Sequence, residues 1–162
     1  MGWLTRALPA RVLGSAVVGA TARRVFPRAD RALQRVTRGR GSLSAAAGMP
    51  LLLLETTGRR SGQPRVTPLA YATQGPDSFL VAGSNWGQQR QPGWALNLLA
   101  APQAVVSLRG RSFPVTARVL RGQECALAWA QLLEIWPAYD EYARRVSSGS
   151  GREIMVFRLD RG

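Results

Sequence analysis

Three arginines and two glycines lie close together in one short polar stretch, TTGRRSGQPRVTP, at residues 56–68. Glycines let a backbone turn tightly and expose its N–H groups, and guanidinium groups bind phosphate or carboxylate oxygens in bidentate fashion. Arg59, Arg60 and Arg65 are therefore candidate anion-binding residues. The glycines are too close together for a P-loop, and no lysine follows them. A solvated turn whose charges keep a sheet edge soluble is the alternative interpretation.

A second polar stretch, GSNWGQQRQPGWALNL, covers residues 83–98 and contains two tryptophans. Its amide and hydroxyl side chains are hydrogen-bond donors and acceptors, and a loop of this composition can line a cleft for a flat ring with a polar tail. The alternative is an ordinary connection from a strand to a helix, with Trp94 and Leu98 in the core.

Three aromatic residues, Trp136, Tyr139 and Tyr142, recur at every third position in the stretch WPAYDEYARR. On a helical turn they share one broad face. The chain contains no histidine, so a tyrosine hydroxyl is the best remaining proton donor. Packing of these rings against a sheet is the alternative, and we favour it for Trp136.

The residues that the chain lacks exclude several kinds of active site. Without histidine there is no Ser-His-Asp triad, no Cys-His pair and no HExxH zinc helix. A single cysteine, Cys125, allows neither an intramolecular disulfide nor a cysteine zinc cluster, and it fits a reducing compartment. The nine Asp and Glu residues form no DxD or ExxE cluster, so we expect no metal site. An enzyme of this composition would take its chemistry from an organic cofactor.

All 22 basic residues are arginines, and the net charge is +13. Residues 1–40 contain nine arginines and one aspartate, so much of this charge belongs to the N-terminal part of the chain. We predict a basic helical arm over residues 1–40, lying on the domain or on an anionic membrane surface. A signal peptide that ends near Ala20-Thr21-Ala22 is an open alternative. Nucleic-acid binding is disfavoured because no recognition motif is present.

The periodicity of residues 41–162 predicts one α+β, mainly β domain. The predicted strands are 51–56, 65–73, 78–84, 104–110, 111–120 and 153–159, with a hairpin turn at Gly110. The predicted helices are 93–100 and 122–136, followed by a short helical stretch from Pro137. Because strands and helices do not alternate regularly, a doubly wound parallel sheet is disfavoured, and a small antiparallel barrel with flanking helices fits better.

Taken together, the three stretches described above resemble the deazaflavin (coenzyme F420)-dependent nitroreductase family of actinobacteria, over about residues 30–159. The segment TTGRRSGQPRVTPL is the most specific part of the resemblance. The resemblance implies a six-stranded split β-barrel, of the FMN-binding split-barrel type, with flanking helices and an N-terminal helix. It also implies that F420 binds in a cleft and that a hydride passes from the reduced cofactor to a quinone, a nitroaromatic compound or another conjugated acceptor.

The resemblance implies roles for individual residues as well. Arg59, Arg60 and Ser61 would hold the phosphate and the polyglutamate tail of the cofactor. The deazaflavin side of the cleft would be lined by Arg65, Val66, Thr67, Pro68, Leu69 and Ala70, and the cleft would be closed by Ala82, Gly83, Ser84, Asn85, Gly93, Trp94, Ala95, Leu96 and Asn97. Tyr139 would lie beside the deazaflavin ring. Ser84, Tyr139 and Tyr142 would face the substrate, and a tyrosine proton would complete the reduction.

Three positions depart from the pattern of the family. Asn85 stands where some relatives have lysine, Ala70 where nitroimidazole-activating members have tyrosine, and Trp136 in place of a third tyrosine. These differences leave the cofactor expectation intact and make a quinone or other conjugated acceptor at least as good a candidate as a nitroaromatic one. A split-barrel protein that binds FMN or a haem-derived ligand, and a basic membrane-surface module without catalysis, are the remaining alternatives. We expect a cytoplasmic protein, with peripheral attachment to the inner face of the membrane as a variant of that expectation.

Overall fold

A computed structural model describes residues 49–162. The helical arm predicted over residues 1–40, its contact with a membrane and the alternative signal peptide lie outside the described residues. The strands are β1 (Leu51–Thr57), β2 (Pro64–Ala70), β3 (Ala72–Thr73), β4 (Ser78–Ala82), β5 (Gln103–Leu108), β6 (Arg111–Val119) and β7 (Val156–Arg161). The helices are α1 (Gly93–Ala100), α2 (Gly122–Ile135) and α3 (Tyr139–Ser150), and a 3-10 turn covers Asn85–Gly87.

The strands form one antiparallel sheet in the order β2-β1-β5-β6-β7-β4-β3. The sheet curls, and its edge strand β2 approaches β4 near the opposite edge. Neighbours in sequence pair in most places, but β1 also pairs with β5, and β4 pairs with β7. The prediction of a mainly β, antiparallel domain with flanking helices is therefore confirmed for residues 49–162.

The predicted number of six strands is wrong, because the extended segment 65–73 is interrupted at Tyr71. β2 pairs with β1, whereas β3 pairs with β4 on the other side of the curled sheet. At the crossing point the Tyr71 N–H donates to the Pro50 carbonyl oxygen at 3.3 Å, outside either strand ladder. The Tyr71 ring is buried and meets Phe79 edge-on, with 5.6 Å between ring centroids. The predicted strand is therefore two strands, because the chain changes the strand with which it pairs at Tyr71. The periodicity of the sequence does not indicate such a change of pairing.

Strand β4 is buried along its whole length. Successive side chains of a strand point to opposite faces. Phe79 and Val81 accordingly join the core cluster under α1, whereas Leu80 and Ala82 join the cluster under α2 and α3. Burial of a leucine such as Leu80, which is 0% exposed, contributes roughly 1.5–3 kcal/mol. The double burial fixes the end of β4, where one wall of the cleft described below begins.

Helices α2 and α3 cover this second face of the sheet. Leu132 on α2 is fully buried, and α2 ends at Ile135, two residues before Pro137. The predicted short helix after Pro137 is longer than expected: α3 runs for 12 residues and ends where Gly151 adopts a left-handed conformation with φ of 68°. No helix within residues 49–162 is both long and apolar enough to span a bilayer.

Candidate functional site

The turn between β1 and β2, residues 58–63, contains Arg59 and Arg60 and is here called the arginine turn. It is closed by hydrogen bonds within its own backbone. The Gly58 N–H donates to the Gln63 carbonyl at 2.8 Å, and the N–H groups of Ser61 and Gly62 donate to the Gly58 carbonyl at 3.1 and 2.7 Å. A side chain at Gly58 would clash, because its Cβ would lie 2.7 Å from the Ser61 hydroxyl and 3.0 Å from the Gln63 carbonyl. This compact turn leaves the side chains of Arg59 and its two successors on the outside.

A buried amide on α1 anchors the turn to the rest of the domain. The Asn97 Oδ1 atom accepts a hydrogen bond from the Arg59 N–H at 3.1 Å, and Asn97 Nδ2 donates to Thr56 Oγ1 at 3.1 Å. Asn97 is 6% exposed and Thr56 is 2% exposed, so water does not compete for these bonds. The position of the arginine turn is therefore tied to helix α1.

The arginine turn borders a cleft of about 910 Å³, which lies at the upper end of the range for small-molecule and cofactor sites. Four arginines line it: Arg59, Arg60, Arg65 and Arg90. None of the residues that line the cleft is an aspartate or glutamate. Within residues 49–162, none of these four guanidinium groups forms an ion pair. The cleft is therefore strongly positive and offers four cations to an anionic ligand.

The opposite wall consists of the end of β4 and the loop of residues 84–91. In this 84–91 loop, Asn85, Trp86 and Gly87 all have positive φ values, of 49°, 57° and 70°. The Asn85 side chain donates from Nδ2 to the Arg90 carbonyl at 2.9 Å. A left-handed conformation costs a non-glycine residue roughly 1–2 kcal/mol, so this loop needs contacts from elsewhere to hold its shape.

Arg152 supplies such contacts from the segment that joins α3 to β7. Its guanidinium donates to the carbonyl oxygens of Gly83 at 3.2 Å and Ser84 at 2.8 Å, and to the side-chain oxygen of Gln91 at 3.2 Å. The Gln88 carbonyl accepts two further bonds, at 3.0 and 2.7 Å. Burial lowers the pKa of Arg152. Its acceptors are neutral oxygens, so no bonded carboxylate offsets this effect of burial.

Aromatic side chains line another part of the cleft. Trp86 and Tyr142 lie 6.5 Å apart and Tyr139 and Tyr142 lie 6.3 Å apart between ring centroids, and Trp136 lines the same region. Tyr139 is 5% exposed and Tyr142 is 3% exposed. Burial, with a smaller contribution from Tyr142, raises the pKa of Tyr139 well above its ordinary value. Tyr139 is therefore a neutral phenol that donates a hydrogen bond readily but releases its proton less readily than a free phenol.

The residues expected at a cofactor site converge on this one cleft, with two exceptions. Gly83 and Ala95 are absent from the lining of the cleft. The Gly83 N–H donates to the Met155 carbonyl at 2.8 Å, and Ala95 is fully buried in the core under α1. Eighteen of the expected residues line the cleft, namely Arg59, Arg60, Ser61, Arg65, Val66, Thr67, Pro68, Leu69, Ala70, Ala82, Ser84, Asn85, Gly93, Trp94, Leu96, Asn97, Tyr139 and Tyr142.

Sequence reasoning missed other residues of the lining, and it assigned Trp136 to packing alone. Trp136 both packs in the cluster under α2 and lines the cleft, and Trp94 likewise lines the cleft while its ring lies 5.4 Å from that of Phe157. The lining residues without a predicted role are Met49, Leu51, Gly58, Arg90, Gln91 and Pro92. Trp86 and Gln88 also line the cleft, as the composition of the second polar stretch indicated. Arg90 could have been predicted as an anion-binding residue if the arginine of the second polar stretch had been considered together with those of the arginine turn.

Comparison with known proteins gives consistent matches. A family model described as F420H(2)-dependent quinone reductase matches residues 25–159. A Mycobacterium tuberculosis protein named F420H(2)-dependent quinone reductase is 41% identical over 87 residues, which are 54% of this chain and 58% of that protein. The chain thus matches less than two thirds of the length of that relative.

Two solved structures are also similar. The structure of an F420-H2 dependent reductase (FDR-A) matches with a TM-score of 0.61 and 31% identity, over 68% of this chain and 94% of that one. HutZ, a heme storage protein from Vibrio cholerae, matches with a TM-score of 0.52 at 16% identity, over 80% of this chain and 90% of that one, and shows similarity of fold alone.

The family match covers the arginine turn, the second polar stretch and the aromatic stretch. It confirms the resemblance drawn from these stretches. The description of the family names F420H(2) as the reductant, in agreement with the class of protein that the resemblance implied. The chain belongs to the F420H(2)-dependent quinone reductase family.

Proposed function

We propose that this protein binds coenzyme F420 in the cleft between the arginine turn and the 84–91 loop and reduces a quinone there. The observation that carries the proposal is the cluster of four arginines without a carboxylate in the lining of a cleft of about 910 Å³. F420 has a phosphodiester and several carboxylates in its tail, and charge-assisted hydrogen bonds from arginine suit both groups.

The residues of the cleft fit this cofactor at both of its ends. At the polar end, Arg59, Arg60 and Ser61 project from a turn that is closed by its own hydrogen bonds, so the cost of ordering it is met before a ligand binds. At the other end, tryptophan and tyrosine rings provide flat apolar surface for a ring system. We propose that the tail lies along the arginine turn and that the deazaflavin ring lies against the aromatic side chains.

Arg90 supports the same assignment from the second wall. The lysine that some relatives have at the position of Asn85 is absent here. Arg90 is five residues further along the same loop, is held through its carbonyl by Asn85, and lines the cleft. We propose that Arg90 supplies the cation that this wall would otherwise lack.

Reduced F420 supplies a hydride to its acceptor, so the chain itself must bind both rings, orient them and exclude water. Tyr139, Tyr142 and Ser84 are all buried and line the cleft. Because burial raises the pKa of Tyr139, we propose that Tyr139 acts as a neutral hydrogen-bond donor to an acceptor oxygen. In this role it orients the acceptor and stabilises negative charge on that oxygen.

The aromatic side chains of the cleft and the family match support a quinone as the acceptor. A quinone is flat and has carbonyl oxygens that accept hydrogen bonds from neutral phenols, which is the chemistry that Tyr139 and Tyr142 offer. A nitroaromatic compound is also flat and has acceptor oxygens, and we propose it as a second acceptor to be compared in the same assay. The assay mixes the protein with reduced F420 and follows its reoxidation by menadione or by a nitroaromatic compound.

Substitution of the arginine turn tests the cofactor site directly. We expect Arg60→Ala to weaken F420 binding about tenfold, since a charge-assisted hydrogen bond contributes about 1.5–3 kcal/mol and an exposed one gives the lower part of that range. Arg111→Ala is the matched control, because Arg111 is also exposed but lies at the start of β6 and outside the cleft lining. Equal F420 affinity in the two variants, measured by fluorescence titration, would show that the arginine turn does not bind the tail.

Competition with FMN tests the alternative ligand. FMN has a single phosphate and no polyglutamate tail, so it would use fewer of the four arginines. We expect FMN to displace F420 only at a concentration much higher than that of F420. We also expect the affinity for F420 to fall more steeply with salt concentration than the affinity for FMN. Tighter binding of FMN than of F420 in native mass spectrometry would contradict the assignment.

A further inference from the structure

The 84–91 loop is held by hydrogen bonds to residues 145–153, which do not line the cleft. Gln89 donates from Nε2 to the Arg145 carbonyl at 3.0 Å and accepts from the Ser150 N–H at 2.7 Å. Gln91 donates from Nε2 to the Glu153 carbonyl at 3.2 Å. Together with the five hydrogen bonds of Arg152, these contacts join the loop to the end of α3 and to the segment between α3 and β7.

Arg152 does not line the cleft itself, whereas Ser84, Gln88 and Gln91, whose oxygens it binds, all do. No carboxylate within residues 49–162 forms an ion pair with it. The whole donor capacity of one guanidinium is thus used to hold backbone and amide oxygens of one loop. An arginine that served only to neutralise charge or to solubilise the surface would not be placed in this way.

The loop requires such a partner because of its backbone conformation. Three consecutive residues have positive φ, and two of them, Asn85 and Trp86, are not glycine. These conformations are costly, and they persist only when surrounding contacts over-determine them. Without the guanidinium, the carbonyl oxygens of Gly83 and Gln88 would lose the donors that Arg152 supplies. The Ser84 carbonyl would keep only the Gly87 N–H, at 3.0 Å.

We propose that Arg152 is a positioning residue of the cleft, which fixes the 84–91 loop so that its lining side chains meet the ligand. Arg152 acts through the loop and does not contact the ligand. The proposal rests on the proposed function only in its prediction for F420 affinity. The effect of Arg152 on the backbone of the 84–91 loop is tested without any ligand.

Three variants separate positioning from general stability. Arg152→Gln removes the charge and most of the donors. Arg152→Lys keeps the charge but replaces a planar group having five N–H donors with three donors at one point. Arg144→Gln is the matched control, because Arg144 is an exposed arginine on α3 whose side chain forms no hydrogen bond or ion pair with any described residue.

Hydrogen exchange is measured first, without cofactor, at a temperature where circular dichroism shows each variant to be folded. We expect the amides of residues 84–91 to exchange at least tenfold faster in Arg152→Gln, with a smaller increase in Arg152→Lys, while those of β5 and β6 stay unchanged. Native-like exchange in the loop of Arg152→Gln, or equally accelerated exchange in all strands, overturns the proposal.

F420 affinity is measured next under the same conditions. We expect the dissociation constant to rise at least tenfold in Arg152→Gln, with an intermediate value in Arg152→Lys and the native value in Arg144→Gln. Native F420 affinity in a folded Arg152→Gln variant with a loosened loop also overturns the proposal. Wild-type protein that binds no F420 refutes the proposed function instead, and the exchange measurement then decides the role of Arg152.

Discussion

Asn97→Ala removes the buried amide through which helix α1 holds the arginine turn. The wild-type side chain accepts from the Arg59 N–H and donates to Thr56 Oγ1, both at 3.1 Å. Alanine keeps the helix, since it has the highest helix propensity. The substitution therefore isolates the contribution of the two hydrogen bonds and of the small volume that the amide filled.

The size of the effect follows from burial. A net hydrogen bond contributes about 0.5–1.5 kcal/mol, and a buried group left without a partner costs about 1–3 kcal/mol. Thr56 is only 2% exposed, so its hydroxyl would be left without water or an amide at that position. We expect a loss of about 2–3 kcal/mol in the free energy of unfolding, which corresponds to a fall of roughly 5–10 °C in Tm for a domain of this size.

Urea unfolding of wild type and variant measures this loss, with Gln123→Ala on the exposed start of α2 as a control that should change little. We also expect F420 affinity to fall at 25 °C, where both proteins are folded, because the turn is no longer held beside the cleft. A free energy of unfolding within about 0.5 kcal/mol of wild type would refute the reasoning. The arginine turn would then hold its position without α1.

Two further predictions concern the aromatic side chains of the cleft. Gly87→Ala adds a methyl group 3.1 Å from Tyr142 Cδ1 at a φ of +70°, so we expect a loss of about 2–4 kcal/mol, against about 1 kcal/mol for Gly62→Ala, where φ is +65° but nothing lies within 4 Å. Similar losses in urea unfolding would contradict the role of the contact. Because burial raises the pKa of Tyr139 above 10.0, the folded state binds this proton more tightly, and stability should fall as the pH rises above about 10. Tyr139→Phe should reduce this loss of stability at high pH. Equal slopes of the free energy of unfolding against pH in the two proteins would contradict the prediction.

Features set by local sequence could be predicted well. Helix α1 begins and ends at the predicted residues, Gly93 and Ala100, because a polar loop precedes it and Pro102 follows closely. The hairpin between β5 and β6 turns at Gly110 as expected. The arginine turn was recognised because glycine and arginine spacing has a local physical meaning.

Features that depend on distant partners could not be predicted in this way. The break at Tyr71 arises because the flanking strands pair on opposite sides of the curled sheet, and nothing in the alternation of residues 65–73 records that change. Arg152 is one of 22 arginines, and its acceptors are 61 to 69 residues away in the chain. Its position becomes informative only after the fold brings the two segments together.

The order of the strands has a consequence for synthesis of the protein. β4 has the short β3 on one side and β7 on the other. Until residues 156–161 have left the ribosome, β4 lacks its principal neighbour, and the apolar face between them is uncovered. The sheet is therefore completed late in synthesis, and a chain interrupted before β7 would be exposed to aggregation and proteolysis.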